Sequence, residues 1–322
     1  MSTQMLIALG LGGLSALVSM AFLGGWPGGL LVVYLAPLPL FLAGLGGGAS
    51  AATVAGATGI MTAGLIGGVM AAGVFGLVHA LPAWLVVRQA LLRRPAPDGT
   101  TTWFPAGHNL CWLGALGAAL LLVAAMASWG AGTSVSKVIS TGLERGVAGF
   151  MPNLSAAQRQ EFVGFMTPFF AGGLGTSWMI MTVVNATLAQ GILVSMDRNL
   201  RPSPRLADLE LTGWFAWALA GAAATALLGA LLGAPELKYI GRNLVIILTV
   251  PYIFLGLAVL HALARRLSFP GTFLAVFYIV LVYFVLNNSG GVFILLAATG
   301  MIEDWAGLRA RFAGRHDNRE NE

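Results

Sequence analysis

The chain has 322 residues, of which 57% are hydrophobic and 9% charged, with a mean hydropathy of +0.84. A water-soluble domain carries about 25% charged residues, so an ordinary globular enzyme is excluded. The single cysteine, Cys111, excludes a disulfide framework or a cysteine-rich metal site, and the net charge of +5 is spread through short segments with no dense basic run, which excludes a nucleic-acid partner.

Residues 1 to 87 contain no Asp, Glu, Lys or Arg. Such a stretch belongs in lipid, and the start of the chain lacks the basic opening and cleavage site of a secretory signal, so it reads as a retained first span. A spanning helix needs about 20 apolar residues, which places spans near 5–23, 28–46, 49–67, 69–92, 109–129, 166–194, 212–233 and 241–264. As one helix, 47–92 would run roughly 67 Å, more than twice the hydrocarbon thickness. It must turn, and Gly67-Gly68 is the expected place. The apolar run 270–302, at roughly 48 Å, must turn as well, and Asn287-Asn288-Ser289-Gly290-Gly291 supplies the signal. The total is about ten spans, within a range of eight to ten.

With the N-terminus inside, ten spans put twelve basic residues in the cytoplasm, from Arg88, Arg93 and Arg94 to Arg309, Arg311, Arg315 and Arg319, and five outside: Lys137, Arg145, Arg159, Lys238 and Arg242. That distribution follows the positive-inside rule. The expected architecture is an all-α polytopic transmembrane helical bundle of a bacterial inner membrane with both termini cytoplasmic. Residues 1–308 form one transmembrane domain, and 309–322 form a charged cytoplasmic tail. Between 130 and 165, Val135, Val138, Ile139, Leu143, Val147 and Phe150 recur at helical spacing, which predicts an extracytoplasmic amphipathic helix, either a lid or a passive surface element. Pro152-Asn153 ends it, and Ser155 with Gln158 forms a capping box for the next helix.

A ladder of small residues, Gly47, Ala51, Ala55, Gly59, Ala63, Gly67 and Ala71, recurs at every fourth position, beside a second row that includes Gly48, Ala52, Gly56 and Gly68. Small side chains let helix backbones approach closely. The ladder is expected to serve internal packing first, with a docking face for a membrane-protein partner as the alternative. Polar residues in lipid mark either inter-helix hydrogen bonds or a ligand site. The span 166–194 is the richest, with Ser177, Thr182, Asn185 and Gln190, which could hold a neutral small molecule. Gly172-Gly173 and Gly175 are expected to loosen the helix just before them.

Pro37, Pro39, Pro82 and Pro251 each remove a helical hydrogen bond. Pro251, between Thr249 and Tyr252, could offer a carbonyl to a ligand, as broken helices do in transporters. No charged residue stands mid-span, which argues against a proton relay, a sodium–carboxylate site and a voltage sensor. His79 and His261 lack metal-ligand spacing, and no Walker loop, serine elbow or carboxylate pair is present. No catalytic residue, metal site or cofactor is therefore expected. At the C-terminal exit, Asp304, Trp305 and Arg309 read as an interface anchor, with Trp305 and Arg309 spaced for a cation–π contact at headgroup depth.

Pro251-Tyr252, the Gly256-Leu257-Ala258-Val259 run, His261 to Arg266, and the uncharged glycine-rich opening together resemble the YybS-like family of bacterial polytopic membrane proteins, over nearly the whole chain. The resemblance brings no activity that transfers residue by residue. It implies a loose relation to the substrate-binding subunits of energy-coupling-factor transporters, which lack their own ATPase and dock through small residues on early helices. Two functions follow as expectations: a small-molecule binding or transport component without an ATPase of its own, or a non-transporting scaffold acting through its glycine-rich helix face.

Overall fold

The computed structural model describes residues 2–21, 28–97, 99–287 and 290–311. The end of the first expected span at 22 and 23, Asn288-Ser289 of the expected turn, and the tail beyond 311 lie outside them. The described residues divide into two compact units, one drawn from the described parts of 1–109 and 177–204, the other from those of 110–176 and 205–311.

Unit 1 begins with α1 (Thr3–Ser19), capped by the Ser2 side chain. Short α2 (Gly29–Val33) and α3 (Pro37–Gly47) follow, then α4 (Ala49–Phe75), a π-turn (Gly76–Ala80) and α5 (Leu81–Ala90). Two glycines make the sharpest reversals. Gly48 has φ 92° and ψ 175°, and Gly68, inside α4, has φ 76° and ψ −175°. These values lie in a region essentially closed to residues with a Cβ. The helix arms close antiparallel around each one. A Cβ on Gly47 would meet that of Ala51 at 2.8 Å, and one on Gly67 that of Ala71 at 2.7 Å. Further from the second turn, Gly64 faces Ala72 and Gly56 faces Ala80. The stretch between the turns, 49–67, is about 28 Å long at 1.5 Å per residue, close to the hydrocarbon thickness. The expected turn at Gly67-Gly68 is present, and its chemistry is repeated: Gly-Leu-x-Gly-Gly-x-x-Ala-Ala occurs at 44–52 and again at 64–72.

A short antiparallel β-ribbon, β1 (Arg93–Pro95) with β2 (Thr101–Trp103), follows α5. The second half of α8 (Ala156–Ser195) completes unit 1.

Unit 2 holds most of α6 (Ala106–Gly130), then α7 (Val135–Phe150), the first half of α8, α9 (Gly213–Leu231), α10 (Pro235–Ala264), α11 (Pro270–Leu286) and α12 (Gly291–Ala306). The amphipathic helix is present as α7, capped by Ser134. The capping box forms too, with Ser155 N–H donating to Gln158 Oε1 at 2.9 Å and Gln158 N–H to Ser155 Oγ at 3.2 Å. It opens one 40-residue helix, so the span expected at 166–194 is the later part of a longer element. α9 and α10 form a hairpin over Gly233, whose φ of 64° lets Ala234 N–H reach Gly229 O at 2.9 Å. Its arms touch where Gly229 meets Lys238 and Gly241 meets Ala226, backbone to backbone. α10 crosses α12 in the same way: Gly256 lies on the Leu296 backbone and Gly300 on that of Tyr252.

α8 continues as one helix through the glycines expected to loosen it. Gly172 and Gly175 are packing positions, closed by Ile246 and Ile247. Asn243, fully buried, meets the α8 backbone here. Its Oδ1 accepts from Gly172 N–H at 2.7 Å and its Nδ2 donates to Pro168 O at 3.0 Å, two groups one helical turn apart. Asn243→Leu is expected to remove both contacts at a cost of about 1–2 kcal/mol. Thermal unfolding in detergent reads the loss, with helical circular dichroism retained.

Candidate functional site

The polar face of α8 in unit 1 meets two places where proline has left backbone acceptors unfilled. At Pro37 and Pro39 the chain breaks between α2 and α3. Leu38 N–H turns to Leu35 O, so the carbonyl of Tyr34 has no i+4 donor. Asn185 supplies one, its Nδ2 donating to Tyr34 O and to Met181 O at 2.7 Å each. Ser15 Oγ donates to Ala36 O at 2.6 Å on the other side of the break. At Pro82, which cannot donate to Val78 O, Trp178 Nε1 does so at 2.7 Å. The π-turn lies just before this proline, and such turns are frequent at functional sites. It holds His79 buried against the Phe75 ring at 5.4 Å between centroids.

Ser177 Oγ is hydrogen-bonded to the Tyr34 hydroxyl. Thr182 is 1% exposed and donates back to Trp178 O at 2.8 Å. Four buried side-chain atoms of this unit are left over: His79 Nδ1, Gln89 Oε1, Asn109 Oδ1 and Asn185 Oδ1, the last on a residue 1% exposed. An unfilled polar atom in a hydrocarbon setting costs free energy unless water or a ligand meets it.

Gln190 belongs to a different arrangement at the end of α8. Its Nε2 donates to Arg201 O at 2.9 Å. The Arg201 guanidinium caps α5 through Ala90 O at 2.8 Å and lies over the Trp103 ring at 5.6 Å. Burial lowers the Arg201 pKa from its ordinary value, and its donors go to carbonyls.

The six polar residues singled out in the sequence therefore fall into separate groups. Ser177, Thr182 and Asn185 come together, Gln190 joins Arg201, and Thr249 and Tyr252 stand in unit 2. Thr249 Oγ1 folds back on Val245 O at 2.7 Å, and the Tyr252 hydroxyl donates to Asp304. Pro251 stays inside an uninterrupted α10, its ring facing Gly114.

The ladder is buried at Ala51, Ala55, Gly59 and Ala63, where the Gly12 backbone of α1 rests on Ala55 and Gly59. Gly67 is exposed at the hairpin tip, with Gly47 and Ala71 partly covered.

At the C-terminal end Trp305 is 88% exposed, and Arg309 turns inward. Its Nε donates to Glu303 Oε1 at 2.6 Å, and Nη1 and Nη2 reach Ala207 O and Leu209 O at 2.5 and 2.8 Å. The cation–π contact expected between Trp305 and Arg309 is corrected accordingly: the guanidinium is committed to a buried carboxylate and two carbonyls, which satisfy more of its donors than an indole face can.

Sequence reasoning missed Tyr34, Trp178, Asn243 and Glu303. A proline names the carbonyl four residues before it as an unfilled acceptor, which points to Val78. Only the packing identifies the donor.

Five helical stretches among the described residues are long and apolar enough to cross a membrane: Ala49–Ala90, Ala106–Gly130, Ala156–Ser195, Gly213–Leu231 and Pro235–Ala264. With the shorter apolar helices Thr3–Ser19, Leu31–Gly47 and Pro270–Phe284, they define an all-α polytopic membrane protein. The chain belongs to the family described as predicted membrane protein (DUF2232), which matches residues 14–295. No curated protein and no solved structure matches it.

Proposed function

We propose that the protein is a small-molecule binding or transport component of a bacterial inner membrane, with both termini cytoplasmic and no ATPase of its own. The observation that carries this reading is Asn185, buried beside a broken helix with Oδ1 unfilled. Breaks of this kind line ligand sites in transporters. The ligand class is a neutral small molecule with a hydrogen-bond donor for that oxygen, and Tyr34 and Ser177, bonded to each other beside it, are the groups that would orient it. In this reading the chain is YybS-like and works with an ATPase-bearing membrane partner. Burial of Ala51, Ala55, Gly59 and Ala63 supports the small-residue ladder as packing within unit 1.

The test is affinity purification of the full chain from its native membrane in mild detergent, with mass spectrometry of small molecules and proteins together. A stoichiometric metabolite retained by the wild type and lost from Asn185→Leu, with thermal unfolding otherwise similar, supports the proposal. A ligand-free chain with a stable non-transport partner overturns it in favour of a scaffold.

A further inference from the structure

On unit 2, one face of α7 is left open. Val138, Ile139, Leu143, Phe150 and Met151 line one side of a groove of about 550 Å³, and Phe170 of α8 lines the other. All nine lining residues are apolar. The floor is made by Gly142 and Gly146, one helical turn apart. A Cβ on either would meet nothing within 4 Å, so the missing side chains are what create the space.

α7 is held in place over this groove. Val135 N–H donates to Glu236 Oε1 at 2.9 Å, and Ser136 Oγ to Glu236 Oε2 at 2.7 Å. The carboxylate thus ties the first turn of α7 to the first turn of α10, where the unpaired N–H groups of a helix favour an anion. The helix that carries Phe170 also exposes apolar rings. Phe162, Phe165 and Phe169 of α8, a membrane-spanning candidate, are 36%, 71% and 50% exposed, and Phe150 of α7 is 82% exposed. Arg145, exposed and seven residues from Val138 on the same side of α7, stands at the edge of the groove, where a phospholipid phosphate would meet it when the apolar face is turned to hydrocarbon, while Lys137 and Glu144 share the far face.

We infer that the α7 groove holds one acyl chain of a membrane phospholipid. Three features carry the inference: a wholly apolar lining, exposed phenylalanines on the same spanning helix as Phe170, and the Arg145 cation at the groove's edge. The site differs from the Asn185 region and does not depend on it.

The experiment uses the full chain reconstituted in phosphatidylethanolamine and phosphatidylglycerol vesicles doped with a phospholipid bearing a diazirine in one acyl chain. The protein is exchanged into detergent to strip loosely associated lipid and then irradiated, and the labelled peptides are mapped. The expected result is label on 138–151 and at Phe170, with little on the exposed face of α9 around Trp217. Gly142→Leu with Gly146→Leu should reduce the groove label several-fold and leave the thermal unfolding midpoint unchanged or raised. Thr141→Leu, outside the groove lining, should retain the label. Equal labelling of α9 and the groove, label that survives filling, or no label on wild-type 138–151 overturns the inference. The first and last of these readouts use the wild type alone.

Discussion

Gly300→Leu and Gly256→Leu are each expected to force α10 away from α12 and to lower the thermal unfolding midpoint by several degrees. Each glycine lies on the partner helix's backbone, Gly256 against Leu296 and Gly300 against Tyr252. A clash with a flexible side chain can be relieved by a change of rotamer, but these contacts are with main-chain carbonyls and have no such escape. Overpacking a core usually costs about 1–3 kcal/mol, and both substitutions belong at or above the top of that range. Close approach of this kind is also what holds membrane helices together, since lipid provides little drive for apolar association. Gly271→Leu at the start of α11, where a Cβ meets nothing within 4 Å, should leave the midpoint near the wild-type value. An unchanged midpoint for Gly300→Leu would show that the crossing of α10 and α12 is not as close as described.

Arg309→Met is the second substitution with a large expected cost. It leaves the Glu303 side chain, 6% exposed, without its cation and removes the donors to Ala207 O and Leu209 O. Removing one partner of a buried ion pair costs about 3–5 kcal/mol, whereas replacing both with apolar groups of similar size can be nearly neutral. The double variant Glu303→Leu with Arg309→Met should therefore recover much of the loss. Thermal unfolding and limited proteolysis of the C-terminal segment read the difference. A double variant as unstable as Arg309→Met alone would place the cost in the lost carbonyl contacts and not in the stranded carboxylate.

Much of the fold was legible because lipid leaves few choices. A run such as 1–87, free of charge, must satisfy its backbone internally and so must be helical. The helix lengths were readable from the bilayer thickness, which is why Gly67-Gly68 could be named as a turn from arithmetic alone. The amphipathic helix and its following capping box were readable because both are local, resting on residues three and four apart.

The site was less legible. Asn185, Ser177 and Thr182 were visible as polar residues in an apolar span, but both inter-helix bonding and a ligand site fitted them, and proximity along one helix did not say what lay across from it. Thr249 and Tyr252 show the limit most clearly. In sequence they flank a proline and suggest a broken helix, yet α10 continues through Pro251 and their hydroxyls go to Val245 O and Asp304. Arg309 failed for the same reason: its spacing to Trp305 is a local fact, while Glu303, Ala207 and Leu209 reach it only through folding.

The sequence by itself determined that this is a polytopic helical membrane protein, where its early helices turn, and which spans carry polar groups. Those properties follow from hydropathy, length and local chemistry. Only the tertiary structure decided that Gly12 rests on the small-residue ladder, that Asn243 meets the α8 backbone, and that Asn185 answers the carbonyl freed at Tyr34. Glycine and alanine are equally apolar on every helix face, and a carboxamide can pair with any exposed backbone group, so partner choice is set by which backbones come within reach.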